Sequence, residues 1–146
     1  MSDVFIQEMD IEDYDEVRAL WELSDGIEVS DIDSSASIGR FLKRNEGLSF
    51  VARMDDQLVG AVLCGHDGRR GYIDHLAVHP SKRRQGIGRA LVSRCLFHLM
   101  RMGIRRWNLF VLEDNQDARS FWTHLGWAEK VELVTMSRQD TGGANG

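Results

Sequence analysis

The sequence predicts a mixed α/β domain: a mostly antiparallel sheet flanked by helices. Three observations carry this. Short apolar runs with period-two alternation recur at "VFIQEM", "LSFVAR", "QLVGAVLCG" and "YIDHLAV". Segments with helical spacing lie between or beside them. Asp55-Asp56, between the second and third runs, is a hairpin signal.

The elements follow in order. "VFIQEM" is a strand. "DIEDYDEVRALWELSDG" is a helix that Asp10 caps, with Glu12 and Asp13 in its first turn, Ile11, Tyr14, Val17 and Trp21 at helical spacing, and Gly26 as its stop. "SSASIGRFLKRNEG" is a second helix with Ile38, Phe41 and Leu42 apolar and Gly47 as stop. The hairpin "LSFVAR"/"QLVGAVLCG", the turn "GHDGRRG" and the strand "YIDHLAV" come next. "IGRALVSRCLFHLMRMG" is the clearest helix, ending at Gly103. Ile87, Leu91, Cys95, Leu99 and Met102 form its core face, and Arg94, His98 and Arg101 a polar stripe. "RRWNLFVL" is a strand, "NQDARSFWTHLG" a helix stopped by Gly126, and "VELVTMS" a final strand. The predicted order is β-α-α-β-β-β-α-β-α-β-β, with "WAEK" opening the penultimate β element. One β-α-β unit, Tyr72 to Leu112, supplies a parallel pair with a right-handed crossover.

At 146 residues the chain suits one domain, expected over 1–138, with 139–146 as a disordered tail. Hydrophobic content of 42% and charged content of 28% are those of a soluble globular protein. No apolar run approaches the roughly 20 residues of a membrane span, and "MSDVFIQEMD" has none of the marks of a signal peptide. Cys64 and Cys95 lie in apolar surroundings and read as reduced thiols, which places the protein in the cytoplasm. The first 60 residues carry 15 acids and 5 bases, whereas residues 61–146 carry 8 acids and 13 bases. A basic second half suits an anion and an acidic first half a cation, and the net charge of -5 argues against a nucleic-acid binder.

The informative stretch is "HLAVHPSKRRQGIGRALVSRCL", His75 to Leu96. Gly86 and Gly88 let backbone approach a ligand closely. The helix after them offers unpaired N–H groups and a positive dipole end, and Lys82, Arg83, Arg84 and Arg89 add charge. The pattern lacks the Gly-Lys-Ser/Thr of a P-loop and the third glycine of a dinucleotide fingerprint. A solvated glycine turn is the plain alternative. What it does match is Arg/Gln-x-x-Gly-x-Gly/Ala, as Arg83-Arg84-Gln85-Gly86-Ile87-Gly88.

"LAVHPSKRRQGIGRALV" resembles the acyl-CoA-binding segment of the GNAT superfamily of N-acyltransferases, and "NLFVLEDNQDARSFWTHLGW" resembles that family's next segment. Together they cover about Tyr72–Trp127, and the preceding element order extends the likeness to nearly the whole chain. The closest likeness is to small single-domain bacterial members. The resemblance implies that backbone amides of Arg83, Arg84, Gln85, Gly86, Ile87 and Gly88, with Arg89 and Ala90 opening the helix, hold the CoA pyrophosphate. It implies that Leu76, Ala77 and Val78 pair with the pantetheine arm through backbone, and that Asn115 hydrogen-bonds that arm as well as capping the next helix. Trp122 stands where the family often places a tyrosine general acid. An indole N–H cannot serve as that acid, so Trp122 is expected to pack against the cofactor. Phe110 stands where some protein N-terminus acetyltransferases carry a glutamate.

Amine attack on a thioester needs a proton acceptor, and Asp74 and His75 are the candidates in that order. Acids occur at this pair of positions in polyamine-type members, and histidine has a suitable ordinary pKa of about 6.5. In a regular strand the two side chains face opposite sides, so only one would point into the cleft. Tyr72 shares the Asp74 face. Glu28, Asp31 and Asp33, between the first two helices, either recruit a cationic amine or form a solvated loop. His75 and His79 lack metal-ligand geometry on a strand, and neither cysteine has the neighbours of an acyl carrier. The expectation is an acetyl-CoA-dependent N-acetyltransferase without a metal, acting by direct attack in a ternary complex. Its acceptor is the amine of a small molecule or peptide. No nucleic-acid or membrane partner is expected, and the state is monomer or homodimer. The alternative is a catalytically silent CoA-binding regulatory module.

Overall fold

The computed structural model describes residues 3–140 and 142. The chain forms two compact units, Met1–Asn115 and Gln116–Gly146. Most of the expected tail beyond residue 140 lies outside the described residues.

The first unit is a five-stranded sheet in sequential order, with β1 Val4–Glu8, β2 Phe50–Met54, β3 Gln57–His66, β4 Gly71–Val78 and β5 Trp107–Asn108. β1 to β4 pair antiparallel, and β4 and β5 pair parallel. The β2–β3 hairpin turns at Asp55 and Asp56, whose φ angles of 52° and 65° give the paired left-handed residues of a tight two-residue loop. Helices α1 (Tyr14–Glu22) and α2 (Ser35–Arg44) precede β2, and α3 (Ile87–Arg101) connects β4 to β5.

Period-two alternation builds two cores. Val51, Leu58, Ala61, Leu63 and Ala77 pack with Tyr14, Val17, Leu20 and Trp21 of α1 and Ile38 of α2. On the other face α3 buries Ile87, Leu91, Cys95 and Leu99. Gly60 lets α3 come close: a Cβ there would lie 3.0 Å from Ile87 Cγ2 and 3.1 Å from Leu91 Cδ1.

Helix starts follow their caps. A 3₁₀ turn, Ile11–Asp13, precedes α1, and Asp10 and Asp13 form a reciprocal capping box around it. Ser34 caps α2 by accepting from the Ser37 N–H at 3.2 Å. α3 ends at Gly103 (φ 81°), with Ile104 N–H donating to the Leu99 carbonyl and Gly103 N–H to that of Met100, a Schellman closure.

Several expectations are corrected. Gly26 does not stop α1: the helix ends at Glu22 on a right-handed Leu23, and Gly26 has no positive φ. Met102 is not on the core face, because it lies at the C-cap of α3 and is 53% exposed. "RRWNLFVL" yields only the two-residue β5. "VELVTMS" forms no strand, nor does "WAEK".

The second unit contains α4, Gln116–His124. It closes at Gly126 (φ 96°), with Trp127 N–H donating to the Trp122 carbonyl and Gly126 N–H to that of Thr123. Trp122 is buried, edge-to-face with Phe121 at 5.1 Å and with Trp127 at 5.3 Å. Arg119 pairs with Glu129 at 2.7 Å. The unit holds no strand among the described residues, so the alternating apolar segment Val131–Met136 has no ladder to join there.

Candidate functional site

β5 pairs with β4 only at Gly71↔Trp107 and Tyr72↔Asn108. Beyond Tyr72 the outer edge of β4 has no paired strand among the described residues, so Leu76, Ala77 and Val78 lie on a stretch with an open backbone edge. Such an edge can accept an extended amide-bearing chain through main-chain hydrogen bonds. Gly71 keeps the end of the gap tight, since a Cβ there would meet Leu99 Cδ1 at 2.6 Å and Trp107 Cδ1 at 3.1 Å.

β4 leads through His79 and a 3₁₀ turn, Pro80–Lys82, into the glycine turn. His79 Nδ1 accepts the Ser81 N–H at 3.1 Å, so this histidine caps a turn. Arg84 (φ 65°) and Gly86 (φ 81°) both adopt left-handed backbone, and Gly86 is the N-cap of α3. The first intrahelical bond is Ala90 N–H to the Gly86 carbonyl, which leaves the N–H groups of Ile87, Gly88 and Arg89 for a ligand. Arg83, Arg84, Gln85 and Arg89 are exposed, while Ile87 and Gly88 are buried against the sheet. A helix start with unpaired donors, ringed by cations, is a site for a phosphate-bearing ligand.

Asp74 and His75 sit at a bulge. Ala61 faces Ala77 and Leu63 faces Asp74, so β4 carries one residue more than β3 across this interval. His75 takes φ 48° there. The regular alternation expected for the pair is therefore broken. Asp74 opposes Leu63, which belongs to the core shared with Trp21, and cross-strand neighbours share a face. The His75 ring lies 4.9 Å from that of Trp21, edge-on. Both side chains are thus on the α1 side of the sheet, not on opposite sides.

Asp33 was expected in a loop that recruits cations or is merely solvated, but it is 3% exposed. It closes a 3₁₀ turn, Asp31–Asp33. Asp33 Oδ2 accepts the Ser30 N–H at 3.1 Å, and Oδ1 lies 3.0 Å from His75 Nε2. The Asp33 carbonyl accepts from the Tyr14 hydroxyl, which in turn accepts from Arg18 Nη1 at 3.1 Å. No sequence signal linked Asp33 to His75, because the two are 42 residues apart and joined only by the fold. Glu28 and Asp31 are exposed. The Trp21 indole N–H is buried without a hydrogen-bond partner, so packing alone places that ring.

Asp74 reaches solvent, yet its carboxyl is held above the ordinary range. The protein around it removes water from the charged form, and Asp33 repels it, while the attraction of His75 works the other way. Asn115 ends the first unit, and its N–H donates to the Leu112 carbonyl at 3.0 Å. Gly26 lies against its side chain. Cys64 and Cys95 are fully buried. A hydrogen bond shared with Cys64, which favours the protonated Cys95 thiol, and burial push that thiol far above its ordinary range, and a thiol without thiolate character is no acyl carrier. Among the described residues, no helix is long and apolar enough to cross a membrane, and no cluster of three His, Cys, Asp or Glu side chains could hold a metal ion.

An open strand edge running into a cationic glycine turn at a helix start suits a ligand with an extended amide-bearing arm and a phosphate group. Residues 10–127 match the acetyltransferase (GNAT) family, and the chain belongs to it. An acetyltransferase of Pectobacterium atrosepticum is 34% identical over 128 residues, 88% of this chain and 89% of that one. Among solved structures, an aminoglycoside N-acetyltransferase in complex with CoA superposes with a TM-score of 0.76 at 21% identity, covering 95% of this chain and 96% of that one. The diaminobutyrate acetyltransferase of Paenibacillus lautus, in complex with 2,4-diaminobutyric acid and coenzyme A, gives 0.73 at 18% identity, over 86% and 75%.

Proposed function

We propose that this chain transfers the acetyl group of acetyl-CoA to a primary amine by direct attack in a ternary complex. The observation that carries the proposal is the open backbone edge of β4 running into the left-handed turn at Arg84 and Gly86. Leu76, Ala77 and Val78 would pair with the pantetheine amides. The amides from Arg83 to Gly88, with the Arg89 charge, would hold the pyrophosphate. Asn115 would add a hydrogen bond to the pantetheine.

Asp74 and His75 lie at the thioester end of that edge and supply the charge and the proton acceptor. A small cationic amine is the favoured acceptor. The first 60 residues carry a threefold excess of acids, and the neighbours above act on an aminoglycoside and on a diamino acid. Trp122 offers no acid comparable to a tyrosine, so the leaving thiolate takes its proton from elsewhere.

The test is thermal. Acetyl-CoA at a hundred times its Kd stabilises by about 2.7 kcal/mol, which for this size raises Tm by roughly 5–10 °C. No shift at millimolar CoA or acetyl-CoA would sink the proposal. Thiol release from acetyl-CoA, measured with a polyamine, an aminoglycoside, a diamino acid and a peptide N-terminus, then identifies the amine. A thermal shift without thiol release from any amine would mark a silent CoA-binding module.

A further inference from the structure

The bulge places the His75 ring between two neighbours that fix it from different sides. Trp21 packs edge-on at 4.9 Å, and the buried Asp33 carboxylate meets Nε2 at 3.0 Å. A carboxylate only accepts, so whenever the imidazole is neutral its proton sits on Nε2 and the lone pair is at Nδ1. Asp33 cannot rotate away, because its second oxygen is held by the Ser30 N–H and its carbonyl by Tyr14. Nδ1 makes no hydrogen bond to any described residue, and the side chain keeps 22% of its surface exposed. The open edge of β4 begins beyond Tyr72 and runs through this bulge.

We infer that Asp33 is the positioning residue of the base: it holds the His75 imidazole through Nε2–H, so that Nδ1 takes the proton of the incoming amine. The inference rests on the acetyl-transfer reading above and names its base atom. An ammonium gives one proton to Nδ1, and its freed lone pair attacks the thioester carbonyl carbon. The C–S bond breaks with its electron pair on sulfur. The thiolate takes the second proton from nitrogen, which leaves an amide and a thiol. The imidazolium, steadied by the Asp33 charge, returns its proton to water. Asp74, one residue before, carries the negative charge that meets the ammonium.

The experiment reads the tautomer directly. In the ¹⁵N-labelled full chain, the His75 ring signals are assigned by their loss in His75→Gln. Long-range proton–nitrogen correlation is expected to show the proton on Nε2. In Asp33→Asn the Ser30 N–H needs the side-chain oxygen, which turns the amide NH₂ toward His75. The proton should then move to Nδ1, and the base is lost. Asp33→Ala leaves both tautomers available. With the amine that releases most thiol, kcat should therefore fall by about 100-fold or more in Asp33→Asn and less in Asp33→Ala, with KM for acetyl-CoA unchanged. The order of Tm should be the reverse, because the alanine deletes buried hydrogen bonds. A purely structural Asp33 would make alanine the worse variant in both measures, and that result would overturn the inference. So would a wild-type proton on Nδ1. The absence of any CoA-induced thermal shift would instead overturn the acetyl-transfer reading, whatever the tautomer.

Discussion

His75 Nε2 lies 3.0 Å from Asp33 Oδ1, across 42 residues of chain. That contact joins the β4 bulge to the turn between α1 and α2. Two parts of the chain with no local reason to meet thereby share one side of the sheet. The positive φ of His75 is unfavourable for a residue with a Cβ. The Asp33 hydrogen bond and the Trp21 ring hold it there, and the result is that Asp74 and His75 stand together at the start of the open edge.

Asp74→Asn should stabilise the protein at neutral pH. The native carboxyl has its pKa raised above the ordinary 3.8 by loss of water around it. The native state therefore binds this proton more tightly than the unfolded chain. Above the raised native pKa the carboxylate is charged in both states, and the native state bears the full penalty. Below 3.8 it is neutral in both, and the penalty is gone. The Tm of the asparagine variant should exceed that of the wild type at pH 7, and the two should converge as pH falls toward 3.8. A difference that widens on acidification would contradict the direction of the shift.

The sequence revealed what is decided locally. The Asp55-Asp56 turn, the Asp10 cap and the glycine closures at 103 and 126 depend on residues within a few positions of one another, and each forms at its expected place. The glycine turn was legible for the same reason. The bulge was not, because a left-handed histidine is fixed by contacts from α1 and the preceding turn, far away in sequence. Asp33 was hidden too: among many acids, nothing local marks the one that folding will bury. The strand expected at "VELVTMS" shows the converse limit. Alternation says that a strand would have a face to bury, but a strand also needs a partner edge, and the second unit has none among its described residues.

Gly86→Ala and Gly60→Ala should separate conformation from packing. At Gly86 a Cβ meets nothing within 4 Å, but φ is 81°; the left-handed backbone costs about 1–2 kcal/mol with a side chain. Tm should fall modestly, and the CoA-induced shift should shrink because the turn is distorted. At Gly60 φ is ordinary, but the Cβ would press on Ile87 and Leu91. Overpacking costs about 1–3 kcal/mol, and it should tilt the start of α3. Differential scanning fluorimetry with and without CoA reads both effects. An unchanged CoA shift in Gly86→Ala would remove the turn from the cofactor site.

Neither cysteine should react in the folded protein. Both side chains are buried, and the Cys95 thiol, in a hydrogen bond with Cys64, is pushed far toward its protonated form. A thiol reagent at pH 8 should label none in the native state and two after unfolding in guanidinium. Stoichiometric labelling of the native protein, or an acetyl group retained on cysteine after incubation with acetyl-CoA, would overturn the direct-transfer route.

Gly26 is the remaining test of the cofactor site, through Asn115. A Cβ at Gly26 would collide with Asn115 Nδ2. Gly26 has no positive φ, so alanine brings no backbone strain there. The atom it meets is the far end of a side chain, which can turn. Gly26→Ala should therefore fold with a Tm close to wild type, while the Asn115 amide is forced into another rotamer. If that amide holds the pantetheine, the variant loses the bond without losing the residue. A net hydrogen bond is worth about 0.5–1.5 kcal/mol, which raises the Kd for CoA by roughly 2- to 13-fold. Asn115→Ala should weaken CoA binding by a similar factor, and the double variant should be no weaker than either single one, since both remove the same contact. Additive losses in the double variant would show that Gly26 acts on CoA by another route, and unchanged affinity in Asn115→Ala would remove the asparagine from the site.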